Sequence, residues 1–326
     1  MRASETAVVD LMEVRAAARR RGRPRRSALR HRTELALFRG AVGLLRLLPD
    51  DAATGAGRLA ARALFRLAPS RRRILLKNLL ASYPEKNSAE IATVARGCVE
   101  TFGATFVDFL LATDLPREEF LARAPVTGVE HLQAARARGK GVFLLSAHFG
   151  SWEIGALAVG LLGEPIASVV RPLDNPLLEA ELTRRRTRFG NRVIVKKEAA
   201  REILRALRVN GTVAMLIDQN VLEREAIFVP FFGRPAATTP SLALFQLKTG
   251  AAVCPVFTWP IGGGRYETRF EQPIWPEEFD LPGLSREARV QRATARYLEA
   301  IEAVIRKKPS AWLWMHNRWR TRPPDL

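Results

Sequence analysis

The sequence contains only two cysteines and four histidines, and no apolar run in it approaches the roughly 18 to 20 residues needed to span a bilayer. Cys98 and Cys254 stand alone inside apolar runs. Buried free thiols in a reducing compartment are therefore expected rather than a disulfide framework. His31, His131, His148 and His316 are dispersed, with no second ligand at zinc spacing, so no metal centre is expected. There is no G-x-S-x-G, which removes a serine-hydrolase elbow, and no Walker sequence. Gly55-Ala-Gly57-Arg-Leu-Ala60 has the outline of a dinucleotide fingerprint, but it follows Asp50-Asp51-Ala-Ala rather than a strand. It reads as the start of a helix, and no cofactor is expected. A secretory signal is excluded too, because the N-terminal basic block runs on into Arg39 and Arg46 within the only apolar region that could serve.

Acidic residues are also scarce. Against 52 lysines and arginines there are 33 aspartates and glutamates, a formal charge of +19. Such an excess implies a negatively charged partner: nucleic acid, an anionic membrane surface, or an acidic protein or substrate. The apolar fraction of 47% over 326 residues is that of a folded chain able to bury a full core. Residues 1–33, rich in arginine, read as a disordered basic arm.

Residues 34–68 read as two helices broken near Pro49-Asp50-Asp51. In the second, Arg58, Arg62 and Arg66 recur at helical spacing with Leu59, Ala63, Leu64 and Leu67 opposite. A basic two-faced helix suits a headgroup layer, or packs as a solvated helix on the core. In the first, Leu35, Phe38, Val42 and Leu45 form an apolar line. A further helix is expected from a Ser88 cap to about Ala112. From Gly139 onward short apolar runs alternate with helical stretches. Strands are expected at 141–147, 166–170, 192–195, 212–217 and 252–257. Helices are expected at 152–162, 175–189, 198–208 and 240–249, and finally from a Ser285 cap to Arg306-Lys307-Lys308. This predicts an α/β fold with a mainly parallel sheet covered on both faces, plus an antiparallel edge at a Gly262-Gly-Gly264 hairpin.

In open α/β sheets, ligands collect at the carboxyl ends of strands. His148 follows the first expected strand, Arg171 the second, and Asp218-Gln219-Asn220 the fourth. Their convergence points to one site. His148 and Glu153 are five positions apart, which turns a helix by about 140°, so they would not share a helical face. They meet if His148 ends a strand and Glu153 lies one turn into the next helix. A carboxylate on one imidazole nitrogen then leaves the other free to accept a proton; a core histidine beside a first-turn glutamate is the alternative. Arg171, followed by Pro172, grips phosphate or salt-bridges a neighbour. Thr238-Thr239-Pro240 reads as a helix cap, after a loop at Val229-Pro-Phe-Phe-Gly-Arg-Pro235 that is rich in aromatic and turn residues. The mixed tryptophan and arginine stretch from Trp312 to Arg322 fits a membrane interface, single-stranded nucleic acid, or packing beneath the sheet.

Taken in order, Ala147-His148-Phe149-Gly-Ser-Trp152-Glu153, Arg171-Pro172 with Asn175-Pro176, Asp218-Gln219-Asn220, Phe231-Phe232-Gly233 and Trp312-Leu-Trp314-Met-His316-Asn-Arg318-Trp319 resemble the bacterial lipid A biosynthesis acyltransferase family, the lauroyl and myristoyl transferases and their relatives. The resemblance spans about residues 34–322. It implies a glycerolipid-acyltransferase-like fold over 34–326, with a membrane-associated helical part (34–115) and an α/β catalytic core (116–326). It also implies peripheral attachment at the cytoplasmic face of the inner membrane. The donor would be an acyl thioester, on acyl carrier protein or coenzyme A, and the acceptor a lipid A precursor or related glycolipid. His148 and Glu153 match the catalytic pair. Arg171, Asp218, Gln219, Asn220 and Arg318 fall in motifs that imply substrate contacts. Acylation of a phosphatidylinositol mannoside or other glycolipid from coenzyme A is the alternative within the enzyme class. A nucleic-acid-binding protein using the basic arm is the rival outside it, but leaves His148 without a purpose, and no nucleic acid partner is expected.

Overall fold

The computed structural model describes residues 28–195 and 199–324. The expected basic arm therefore lies outside the described residues, apart from 28–33, which are helical and open α1 (Ala28–Leu45). Three more helices follow: α2 (Asp50–Arg66), α3 (Pro69–Ser82) and α4 (Ser88–Ala112). The cap of α4 is Asn87 rather than Ser88. Its side chain accepts from the Ala89 and Glu90 amides, while Glu90 accepts from the Asn87 amide.

Gly55 and Gly57 lie within α2 rather than at its start, and Gly57 has a packing duty. A Cβ there would fall 2.6 Å from the Gly103 carbonyl oxygen of α4. The two helices thus meet through their smallest residues, and α2 buries Ala53, Thr54 and Gly57. Its leucines Leu59 and Leu64, with Leu67 at its C-cap, are left outside, at 66%, 68% and 82% exposed. On α1, Val42 is buried while Leu37 and Leu44 are exposed, as is Leu47 just beyond it. No helix among the described residues is long and apolar enough to cross a membrane.

The remaining chain runs α5 (Arg117–Arg123), β1 (Val126–Thr127), α6 (Val129–Ala137), β2 (Val142–Ser146), α7 (Trp152–Leu161), β3 (Ile166–Val170), α8 (Pro176–Arg186) and β4 (Arg192–Val195). It continues with α9 (Ala199–Arg208), β5 (Thr212–Leu216), β6 (Ile227–Phe231), β7 (Arg234–Thr238), α10 (Ser241–Thr249), β8 (Ala252–Gly262), β9 (Arg265–Phe270) and α11 (Arg286–Lys307). Seven strands form one sheet in the order β1-β9-β8-β2-β5-β3-β4. Every neighbouring pair is parallel except β8 with β9. The fold is α/β, with helices flanking a mainly parallel sheet. β9 is not the edge that the Gly262 hairpin suggested, because the short β1 pairs outside it. The expected aromatic loop at 229–235 is instead a second, two-stranded sheet, β6 with β7, turned at Phe232 and Gly233 with positive φ. The helix after it starts at Ser241, with Pro240 as its N-cap.

One irregularity shapes the interior. β3 pairs with β5 only from Ile166↔Thr212 to Ser168↔Ala214, whereas β3 stays paired with β4 as far as Val170↔Val195. The carboxyl halves of β3 and β5 therefore part, and a seam opens in the sheet.

Candidate active site

The two central parallel strands set the geometry. Ser146 of β2 is in register with Leu216 of β5. Two residues beyond the end of each strand come His148 and Asp218, so the register sets them side by side at the carboxyl edge. Nδ1 of His148 lies 2.9 Å from Asp218 Oδ1. Asp218 Oδ2 accepts from the His148 backbone amide at 2.9 Å and from the Trp312 indole Nε1 at 2.8 Å. Asp218 is 1% exposed and His148 22%. Burial by itself would raise the Asp218 carboxyl, but the His148 ring and these three hydrogen bonds outweigh it and hold the group at about 2. It is therefore a carboxylate, which makes Nδ1 of His148 the donor. Nε2 is then the basic nitrogen, and it accepts from the Gln219 side-chain amide at 3.1 Å.

The carboxylate on His148 is thus Asp218, where sequence spacing had suggested Glu153. Glu153, the second residue of α7, is taken by Arg186 at the end of α8: Arg186 Nε donates to both carboxylate oxygens at 3.1 and 3.0 Å, and Nη2 to Oε1 at 2.6 Å. A guanidinium satisfies both oxygens in one plane, and Nδ1 is already filled by the residue opposite it in register. Burial would lower Arg186, but Glu153 more than compensates and raises it. Arg186 belongs to the run Arg184-Arg185-Arg186, whose neighbours turn away. Arg185 is buried and donates to the Leu110 carbonyl and Thr113 Oγ1, at 2.7 and 2.6 Å.

The turn after β2 is held tightly. Gly150 has φ +53°, and a Cβ there would collide with the Thr258 carbonyl. Its amide donates to the Ala311 carbonyl and that of Ser151 to the Thr258 carbonyl. Trp152 packs edge-on against the His148 ring, with centroids 5.0 Å apart.

A cavity of about 660 Å³ opens beside this pair. Its polar margin carries His148, Glu153, Arg186, Gln219 and Asn220, with the exposed Arg171 and Arg320. Its depths are apolar and follow the parted strands. Ser168 and Ala214 line it from one face of the sheet, and Val169 and Met215 from the other. Neighbouring strand residues point to opposite faces, so the cavity reaches both sides of the sheet through the seam. Leu144, Val159 and Ile166 lie on the first side, Ile203 and Phe245 on the second.

Residues 23–321 match the family model described as bacterial lipid A biosynthesis acyltransferase. The chain belongs to that family. It is similar to the lipid A biosynthesis lauroyltransferase of Escherichia coli (strain K12), at 28% identity over 83% of this chain and 85% of the relative. The palmitoleoyltransferase of the same organism is 28% identical over 78% and 80% of the two chains. The myristoyltransferase is 25% identical over 79% and 78%. This chain is an acyltransferase.

The other expected site residues of the acyltransferase divide between the cavity and its supports. Arg171 lies on the margin and makes no hydrogen bond or ion pair among the described residues. Asn220 lines the cavity while its amide donates to His316 Nε2 at 2.9 Å, and its side chain exchanges hydrogen bonds with Thr321. Arg318 does not reach the cavity. It is fully buried, giving Nη1 to the Ala237 carbonyl at 2.6 Å and Nη2 to Thr238 Oγ1 at 2.5 Å. Burial lowers it to about 10, against the pull of Asp218. Trp312 and Trp314, which had suited a membrane interface, are buried in an aromatic cluster with Phe231 and Phe232. Arg186, Trp312 and Arg320 were not singled out as site residues from sequence. The arginine run closing a helix was the one available signal, and it suits a helix C-terminus equally well.

Proposed function

We propose that this protein is a membrane-associated enzyme that moves a fatty acyl chain from a thioester to a hydroxyl of a lipid A precursor or related glycolipid. The observation that carries the proposal is the His148–Asp218 pair at the margin of a cavity that is arginine-edged outside and apolar within. The acceptor hydroxyl takes the place of the Gln219 amide on His148 Nε2. As its oxygen attacks the thioester carbonyl, its proton passes to Nε2, and Asp218 stabilises the imidazolium. The tetrahedral oxyanion then collapses. The C–S bond breaks, the ester forms, and the thiolate leaves, taking the proton from the imidazolium. No covalent enzyme intermediate is required.

The amides of Gly150 and Ser151 are committed to carbonyls, so oxyanion stabilisation falls to the first-turn amides of α7 and to nearby arginine. The acyl chain occupies the seam between β3 and β5. Arg171 and Arg320 face the phosphates of the acceptor, and Glu153 acts by fixing Arg186 beside them. Acyl carrier protein is the favoured donor, since the charge of +19 suits an acidic carrier. Names among the relatives differ in acyl group, so chain length depends on the cavity and not on family membership.

The outward leucines of α1 and α2, set among arginines, support peripheral attachment to an anionic bilayer on the cytoplasmic face of the inner membrane. The test is incubation of purified protein with vesicles carrying a lipid A precursor and with labelled acyl carrier protein or acyl coenzyme A, followed by mass spectrometry of the lipid. Label should move to the acceptor, and not with His148→Ala. Undiminished transfer by His148→Ala would refute the assignment.

A further inference from the structure

After α11 the chain folds back across both strand ends that carry the site. The Leu313 amide donates to the His148 carbonyl at 3.1 Å, the Gly150 amide donates to the Ala311 carbonyl at 2.7 Å, and Phe149 bridges to Trp312. Between these backbone ties the Trp312 indole turns inward to Asp218. One two-residue unit, Trp312-Leu313, thus holds both partners: the histidine through its carbonyl, the aspartate through its side chain.

The contact has a particular chemistry. Asp218 Oδ1 faces the imidazole, while Oδ2 takes the two remaining donors, the His148 amide and Trp312 Nε1–H. The terminal torsion of an aspartate is soft, and two donors converging on the rear oxygen fix the carboxylate plane. The indole itself cannot swing. It is 1% exposed, with Trp314 and Phe231 centroids at 4.6 and 5.5 Å.

We propose that Trp312 is a positioning residue for acyl transfer, whose Nε1–H fixes the Asp218 carboxylate so that Oδ1 holds His148 in the Nδ1–H tautomer. This rests on the function proposed above. A carboxylate deprived of that donor keeps its charge partner but gains rotational freedom, so the imidazole is presented in its reactive orientation for less of the time.

Trp314 supplies the control. It is 0% exposed, sits in the same cluster, and donates its Nε1–H to the Pro309 carbonyl at 2.7 Å, with no link to Asp218. Trp312→Phe and Trp314→Phe delete the same atoms from the same core. Kinetics with labelled acyl carrier protein and acceptor vesicles should show kcat lowered roughly ten- to hundredfold in Trp312→Phe, as for loss of one hydrogen bond to a charged group. Its KM values should stay within about twofold, and Trp314→Phe should keep its kcat. Equal kcat in the two variants would overturn the proposal. Indole N–H resonances of the 15N-tryptophan-labelled full chain give a second readout that needs no turnover. Asp218→Asn should shift the Trp312 signal and leave that of Trp314 in place; an unmoved Trp312 signal also overturns it. Normal turnover by His148→Ala would instead remove the underlying reading of the site.

Discussion

His148 Nδ1 and Asp218 Oδ1 lie 2.9 Å apart because each follows, by two residues, the end of one of two parallel strands in register at Ser146 and Leu216. Glu153 and Arg186 form the neighbouring pair, and the proposed function gives the two carboxylates different duties. Asp218→Asn should lower kcat by roughly three to four orders of magnitude while leaving KM almost unchanged, because an amide oriented to donate imposes the wrong tautomer. Glu153→Gln and Arg186→Gln should each impair transfer, with a double-mutant coupling of about 1–3 kcal/mol in kcat/KM. Additive effects in that cycle, or an Asp218→Asn enzyme with full kcat, would exclude this division of labour.

The leucines that α2 leaves outside should matter for attachment and not for folding. Replacing Leu59, Leu64 and Leu67 together by Asp should weaken co-sedimentation with anionic vesicles at least roughly tenfold, since each buried leucine is worth about 1.5–3 kcal/mol. The Tm in detergent should stay within a few degrees. Unchanged vesicle binding would show that this face does not meet lipid.

The seam should govern donor length. Ala214 is buried at the point where β3 and β5 part. Ala214→Leu should shift kcat/KM toward shorter acyl donors, roughly tenfold or more against the longest accepted, as when a pocket loses room for one or two methylenes. The measurement is competition between acyl carrier protein donors of graded length. A uniform loss at every length would argue that the chain lies elsewhere.

His316 links acidity to stability. Burial lowers its ring to about 4, with His148, Arg318 and Arg71 adding to the effect and Asp218 opposing it. The unfolded chain takes up this proton near 6.5, but the folded one does so only near 4. Between those values the unfolded state binds more protons, so stability falls as pH drops from 6.5 to about 4 and then levels off. His316→Gln keeps an acceptor for the Asn220 amide and should flatten that part of the Tm–pH curve. Parallel curves for the two proteins would contradict the assignment.

Much of the sheet could be read from sequence because glycine and proline punctuate it. β3 and β4 begin and end at the expected residues, and α9 starts within one residue. The β6–β7 hairpin was hidden because Pro230 and Pro235 argue against strand, yet they sit opposite each other in a two-stranded ribbon with no further neighbour to hydrogen-bond. No element is expected from sequence over 69–82, where Pro69 occupies the first turn of α3 rather than ending a helix. Within the site, His148, Asp218, Gln219 and Asn220 were all anticipated at strand ends. Their pairing was not, because the carboxylate nearest in sequence differs from the one nearest in space, and only strand order reveals that. The Trp312 contact depends on a chain reversal more than 90 residues from its partner, which no local pattern encodes.

The parting of β3 from β5 has a consequence for the resting enzyme. In the function proposed above, the donor's hydrocarbon tail lies between those strand edges and packs against the apolar side chains there. Saturation with donor should then finish the core and raise resistance to heat, by an amount that grows with donor concentration as mass action requires. Catalysis and folding would share the same apolar contacts, each turnover dismantling and rebuilding a part of the protein's own interior.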